Sequence, residues 1–193
     1  MKKRFLPLLS LLAVMFFFSS CSYNSMVKKD ETVKSKWGEV QTQYQRRADL
    51  ITNLVNTVKG AAANERGTLE AVINARAKAT QITVNADDLS PEKIKEYQAA
   101  QGELSQALGK LMMLTEAYPD LKTNQNFLSL QDEIAGTENR IGVARKNFNE
   151  SVQDYNSSIR SFPANITAKM FGFKEKGYFE ADATAQKAPE VKF

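Results

Sequence analysis

From Val33 onward, apolar side chains recur at alternating steps of four and three: Val33, Trp37, Val40, Tyr44, then Ile51, Leu54, Val58 and Ala61. Arg47 occupies the one seam position between Tyr44 and Ile51. This spacing keeps returning to one face of a 3.6-residue turn, so it predicts a long helix that packs by a single stripe. Gly60 can end it, and Asn64 can cap a second helix over about 65–81. The alternative is a first helix continuous to about residue 84, because AAANE (61–65) favours helix. NADDLSP (85–91) predicts a loop, with Ser90 as N-cap and Pro91 at the first helical position. A third helix then carries Ile94, Tyr97, Leu104, Leu108, Leu111 and Leu114 to about Tyr118, where Pro119 interrupts it.

The clearest pattern lies at about 124–161. Phe127, Ile134, Ile141, Phe148, Tyr155 and Phe162 repeat every seven residues, and their seam partners Leu130, Thr137, Ala144, Ser151 and Ser158 are mostly small. Small residues beside aromatics let a neighbouring helix approach closely. The predicted fold is all-α: an elongated antiparallel, up-and-down four-helix bundle over residues 29–163. After Pro163, ANITAKMFGF offers a short amphipathic element within 164–179, read as a cap over the open end of the bundle or as a piece that touches lipid or a partner. Residues 180–193 lack periodicity and read as a loose tail.

The start of the chain follows a different logic. MKKR is basic, the stretch Phe5–Phe18 is apolar but shorter than the roughly 20 residues a spanning helix needs, and Ser19 and Ser20 are small. Residues 1–20 therefore read as a cleaved leader, and 21–28 as the new N-terminus and tether. Phe18-Ser19-Ser20-Cys21 resembles a bacterial lipobox, although Phe18 stands where Leu is usual. Cys21, the only cysteine, is then a lipidation site, and several acyl chains make the anchoring effectively permanent. No disulfide or cysteine-based metal site can form from one thiol. Ser22 follows the cysteine, where an Asp would retain the protein at the inner membrane. The expected location is the periplasmic face of the outer membrane, with the outer face of the plasma membrane as the alternative.

Charge changes the picture little. The formal net charge is +4, but without Lys2, Lys3 and Arg4 the 26 basic residues fall to 23 against 22 acidic ones, which removes most of the case for a nucleic-acid partner. The chain has no histidine. With the cysteine acylated, the commonest general base, zinc ligand and thiol nucleophile are all missing. The pairs Asp30-Glu31 and Asp87-Asp88 flank helix ends without a calcium-loop pattern and read as capping or solvated charges. No catalytic, metal or cofactor site is expected, and the protein is read as a non-enzyme.

YNSMV (23–27), RRADLITNLVNTVKG (46–60), EAYPDLKTNQNF (116–127), ENRIGVARKNFN (138–149) and YNSSIRSFP (155–163), with FGF and YF beyond, resemble the LemA family in order and spacing. Two departures stand out: Thr52 where the family usually has Pro, and Phe148 where it has Tyr. Many family members keep the N-terminal apolar segment as a membrane helix, which this chain exchanges for a lipid. The resemblance implies an extracytoplasmic helical bundle tethered to a membrane, and no established activity. The expected role is an envelope interaction or scaffold module for an unknown envelope protein. The alternative is a membrane-active or envelope-structural protein whose C-terminal amphipathic element engages lipid.

Charges interrupt both seams, and this predicts a contact. In an up-down-up-down bundle the first and last helices are antiparallel, which places Arg47 and Glu138 at the same depth. A buried guanidinium is tolerated only when paired. The expected cluster is Arg47 with Glu138, with Asn149, Asn53 or Arg145 nearby. It is read as a network that fixes helix register; a ligand-binding cluster and charges that snorkel to solvent are the alternatives. Glu138→Ala is then expected to cost roughly 3 kcal/mol by stranding the arginine.

Overall fold

The computed structural model describes residues 5–62, 64–115 and 117–181, with side chains described from residue 22 onward except at 61 and 114. Six helices appear in chain order: α1 (Phe5–Ala61), α2 (Arg66–Gln81), α3 (Pro91–Thr115), α4 (Pro119–Lys122), α5 (Gln125–Arg160) and α6 (Ala164–Phe171). Among the described residues there is no strand. The chain does break between α1 and α2, within residues 62–65, so the continuous helix to residue 84 is not formed. Glu65, rather than Asn64, takes the N-cap position, and its side chain makes no capping bond. At α5 the cap is complete: the Asn124 carboxamide oxygen accepts from the backbone N–H groups of Asn126 and Phe127.

At about 1.5 Å per residue, the 36 residues of α5 make a rod some 54 Å long. It runs antiparallel to α1 over most of that length, from the Lys29 ammonium on the Asp154 carbonyl at 3.1 Å to Arg46 beside Glu133 at 3.8 Å. α2 and α3 form a shorter antiparallel pair laid on this spine, with the Arg76 Nε donating to the Ala48 carbonyl at 2.9 Å. The two seams face inward as their periodicity requires: Val33, Trp37, Val40, Ile51, Leu54 and Val58 of α1 are fully buried, and so is Phe148 of α5.

The bundle has four helices over only half its length. One core, from Leu50 to Ile134, is filled by α1, α2, α3 and α5 with Leu121 of α4, and this is the distal half. The other, from Met26 to Phe179, is filled by α1, α5, the start of α3, the connection carrying Val84 and Leu89, α6 and the chain beyond it. α2 has only 16 residues and cannot reach this half, so other parts of the chain take its place. Residues 22–28, expected as a tether, continue α1, and Met26 is buried. Phe162, the last of the heptad aromatics, falls beyond the end of α5 and is 82 % exposed.

The proximal core is aromatic. Trp37 has Tyr97, Phe148 and Phe179 around it at ring-centroid distances of 5.2, 5.5 and 6.0 Å, and its indole N–H donates to the Val84 carbonyl. Burial pushes the Tyr155 phenol up to about 12, and it raises Tyr97 as well. Hydrogen bonds to Asp87, Glu31 and Asp30 raise Lys34. All three groups hold their protons more tightly folded than unfolded, so their contribution is complete below about pH 10 and is lost as pH climbs toward 12. The urea midpoint is expected to fall steadily between pH 10 and 12, and Tyr155→Phe to flatten that fall. A midpoint constant over this range would contradict the assignment.

Candidate functional site

Arg47 is the largest charged side chain in the interior, at 1 % exposure. Its Nη1 donates to Glu138 Oε1 at 2.7 Å and to Ser105 Oγ at 2.9 Å; its Nη2 donates to the carbonyl and the side-chain oxygen of Gln101. The guanidinium also lies 4.9 Å from the Tyr44 ring centroid. Gln101 and Ser105 stand four apart on α3 and so present one face, and Glu138 comes from α5. The Gln101 carboxamide donates onward to the Ala79 carbonyl of α2, so Arg47 and Gln101 together link four helices. This polar layer lies between the two hydrophobic cores. Glu138 keeps 39 % of its side chain exposed, so only one end of the ion pair is desolvated. Arg47 Nε has no acceptor among the described protein atoms. The layer joins the helices through hydrogen bonds and one ion pair.

The other three residues expected in this cluster lie elsewhere. Asn53 is exposed on the outer face of α1. Arg145 and Asn149 sit about two and three turns nearer the proximal end of α5 than Glu138, where they hold the segment 173–181 that follows α6. This segment runs back along the bundle as an extended strap. Three carboxamides clamp its backbone, each as donor and acceptor at once. Asn156 bonds the N–H and carbonyl of Lys176 at 2.9 Å each; Asn149 does the same to Phe179 at 2.9 and 2.8 Å, and Gln98 to Glu180 at 3.0 and 2.9 Å. Tyr155 donates to the Lys174 carbonyl and Arg145 to that of Glu180.

Phe179 is the anchor of the strap, buried against Trp37 and Phe148, with the Arg145 guanidinium 4.9 Å from its ring centroid. Gly177 permits the approach: its N–H donates to the Leu89 carbonyl, and an added Cβ would lie 2.6 Å from the Pro91 Cα. The expected loose tail thus begins later than residue 180, since Glu180 is still bonded; the part from 182 to 193 lies outside the described residues. Asn149 and Asn156, seven apart and each directly after a seam aromatic, were the available signal for this clamp.

The acidic pairs are occupied by lysines. Asp30 is bonded by Lys34 at 3.2 Å and by the buried Lys176 of the strap at 2.8 Å; Glu31 and Asp87 also meet Lys34, and Asp88 meets Lys93. Among the described residues no group of three potential ligands could hold a metal ion, and no helix is long and apolar enough to cross a membrane. Open grooves run between α1 and α5, one of them lined by Gln41, Gln45, Asp49 and Glu133. The expected lipid site, Cys21, has its side chain outside the described residues.

The LemA family model matches residues 36–193. Among curated proteins, two magnetosome proteins, MamQ 1 and MamQ 2 of Paramagnetospirillum magneticum, are each 26 % identical over 196 residues, covering 91 % of this chain and 71 % of the relative. Protein LemA of Metamycoplasma hominis is 25 % identical over 170 residues, covering 88 % of this chain and 74 % of its own.

Proposed function

This chain belongs to the LemA family, and from that premise we propose that it is a lipid-anchored, non-enzymatic scaffold or interaction module of the bacterial envelope. The observation that carries the reading is α1. One uninterrupted helix runs from Phe5 through the position of Cys21 to Ala61 and forms the central seam of the bundle. An anchor at Cys21 would therefore be coupled to the bundle by helix rather than by a loose linker, and the rod would stand a long helical surface away from the membrane. The polar layer and the strap support the shape of that surface. Naming of the relatives as magnetosome and LemA proteins, none of them after a reaction, favours the same reading. The periplasmic face of the outer membrane is the proposed location, since Ser22 follows the cysteine.

The test is metabolic labelling with radioactive palmitate, followed by fractionation of envelopes. Wild type should take up label and stay with the outer membrane, with a mature N-terminus at Cys21. Cys21→Ala should take up none and leave the detergent phase. Unchanged partitioning of that variant would defeat the lipoprotein reading. Photocrosslinkers placed at the exposed Leu128 and Val143 of α5 should capture a discrete envelope protein; no adduct from either position would count against the interaction role.

A further inference from the structure

α6 is amphipathic, and it exposes apolar side chains beside Lys169. Thr167 and Ala168 are buried against α1 and α5. Ile166 and Met170 lie on the opposite side, 55 and 77 % exposed; Phe171, one turn on from Thr167 at the end of the helix, is 60 % exposed, and Phe162 just before the helix is exposed as well. Tyr23 of α1 joins them, with its ring 4.8 Å from that of Phe171. Five of the chain's exposed large apolar side chains thus gather at one end of the rod, which is more than scattered exposure would give. The rim of this patch is basic. Lys28, Arg160, Lys169 and Lys174 lie close to it along the chain; the acids at this end are Asp30 and Glu31, which Lys34 and Lys176 pair with, Asp154, and Glu175, the last 3.5 Å from Arg160.

The position of the patch identifies its occupant. Tyr23 lies two residues past Cys21 on the same helix, about 3 Å along its axis. Whatever membrane receives an anchor at Cys21 must therefore come within reach of Phe171. We propose that Phe162, α6 and Tyr23 form a foot that inserts its apolar face into the headgroup boundary of an anionic bilayer, with the lysines on phosphate, and so holds the rod at a fixed tilt. This inference rests on the proposed anchor at Cys21.

The full lipidated chain carrying Met170→Trp is reconstituted into phosphatidylglycerol–phosphatidylethanolamine vesicles, with and without brominated acyl chains. Trp37, buried in the core and about 21 Å farther up α1, serves as an unquenched reference. The added indole is expected to lose about half its emission to brominated lipid, since an interfacial helix places its apolar face at the acyl boundary. Phe171→Trp, also at an exposed position, should repeat the result. Flotation with vesicles but no quenching at either position would overturn the foot and leave the anchor standing. Failure to float would overturn both. Equal quenching in neutral phosphatidylcholine vesicles would overturn the role of the basic rim. Protection of the indole without vesicles, with a doubled sedimenting mass, would show that a second copy covers the patch and would likewise overturn the proposal.

Discussion

Replacing Arg47 by alanine is expected to lower the stability of the bundle by about 3–4 kcal/mol, the scale for breaking a buried, multiply bonded charge. The loss has two parts: a void at the junction of four helices, and the stranding of the Gln101 side-chain oxygen, which takes Arg47 Nη2 as its donor. Glu138→Ala should cost less, about 1–2 kcal/mol, because its carboxylate is partly solvated and the guanidinium keeps Ser105, Gln101 and the Tyr44 ring. This revises downward the roughly 3 kcal/mol expected when both partners were taken as buried. Arg47→Met combined with Glu138→Leu should recover much of the loss, since an apolar layer avoids the desolvation of the ion. Chemical denaturation of the wild type, Arg47→Met, Glu138→Leu and the double variant gives the coupling. Strictly additive losses would mean that the 2.7 Å contact contributes nothing in solution.

The second large effect is expected at the strap. Phe179→Ala empties the site beside Trp37 and Phe148, a change that costs about 3 kcal/mol in a closed core. Gly177→Val acts by collision, because its Cβ would meet the Pro91 backbone at 2.6 Å, where neither side is a flexible chain end. Either change can be relieved by letting residues 173–181 leave the bundle, so the loss is bounded by the free energy of docking the strap. The double variant should therefore be no less stable than the worse single one, a marked departure from additivity. Hydrogen exchange at the amides of Lys176, Phe179 and Glu180, each bonded to a carboxamide in the wild type, should rise sharply in all three proteins. Protection retained at those amides in Gly177→Val would show that the clamp tolerates the collision.

The helical spine could be read from the sequence because its determinants are local and periodic. The seven-residue repeat from Phe127 to Tyr155 and the four-three spacing from Val33 to Val58 each define a stripe, and two antiparallel stripes fix which residues share a depth. Arg47 and Glu138 meet for that reason. The remaining partners of Arg47 could not be placed in this way. Gln101 and Ser105 belong to α3, whose depth depends on the lengths of α2 and of two loops, and no spacing within α3 encodes those. Asn149 and Arg145 were assigned to the wrong partner because a polar residue on a seam says that something polar faces it, and not what. The strap left almost no trace. An extended segment held by its backbone needs no periodicity and little side-chain identity, apart from Phe179 to fill a site and Gly177 to let two backbones touch.

The two cores also differ in how much chain must exist before each can close. The distal core draws on residues 50–134, a contiguous stretch complete well before the chain ends. The proximal core joins Met26 to Phe179 and cannot be finished until the penultimate part of the polypeptide has appeared. Contacts separated by so much sequence form late, and a chain made from its N-terminus folds its parts in the order they become available. During biogenesis the end next to Tyr23 therefore remains open longest, with Trp37 and Phe148 lacking the cover of Phe179 until the strap arrives.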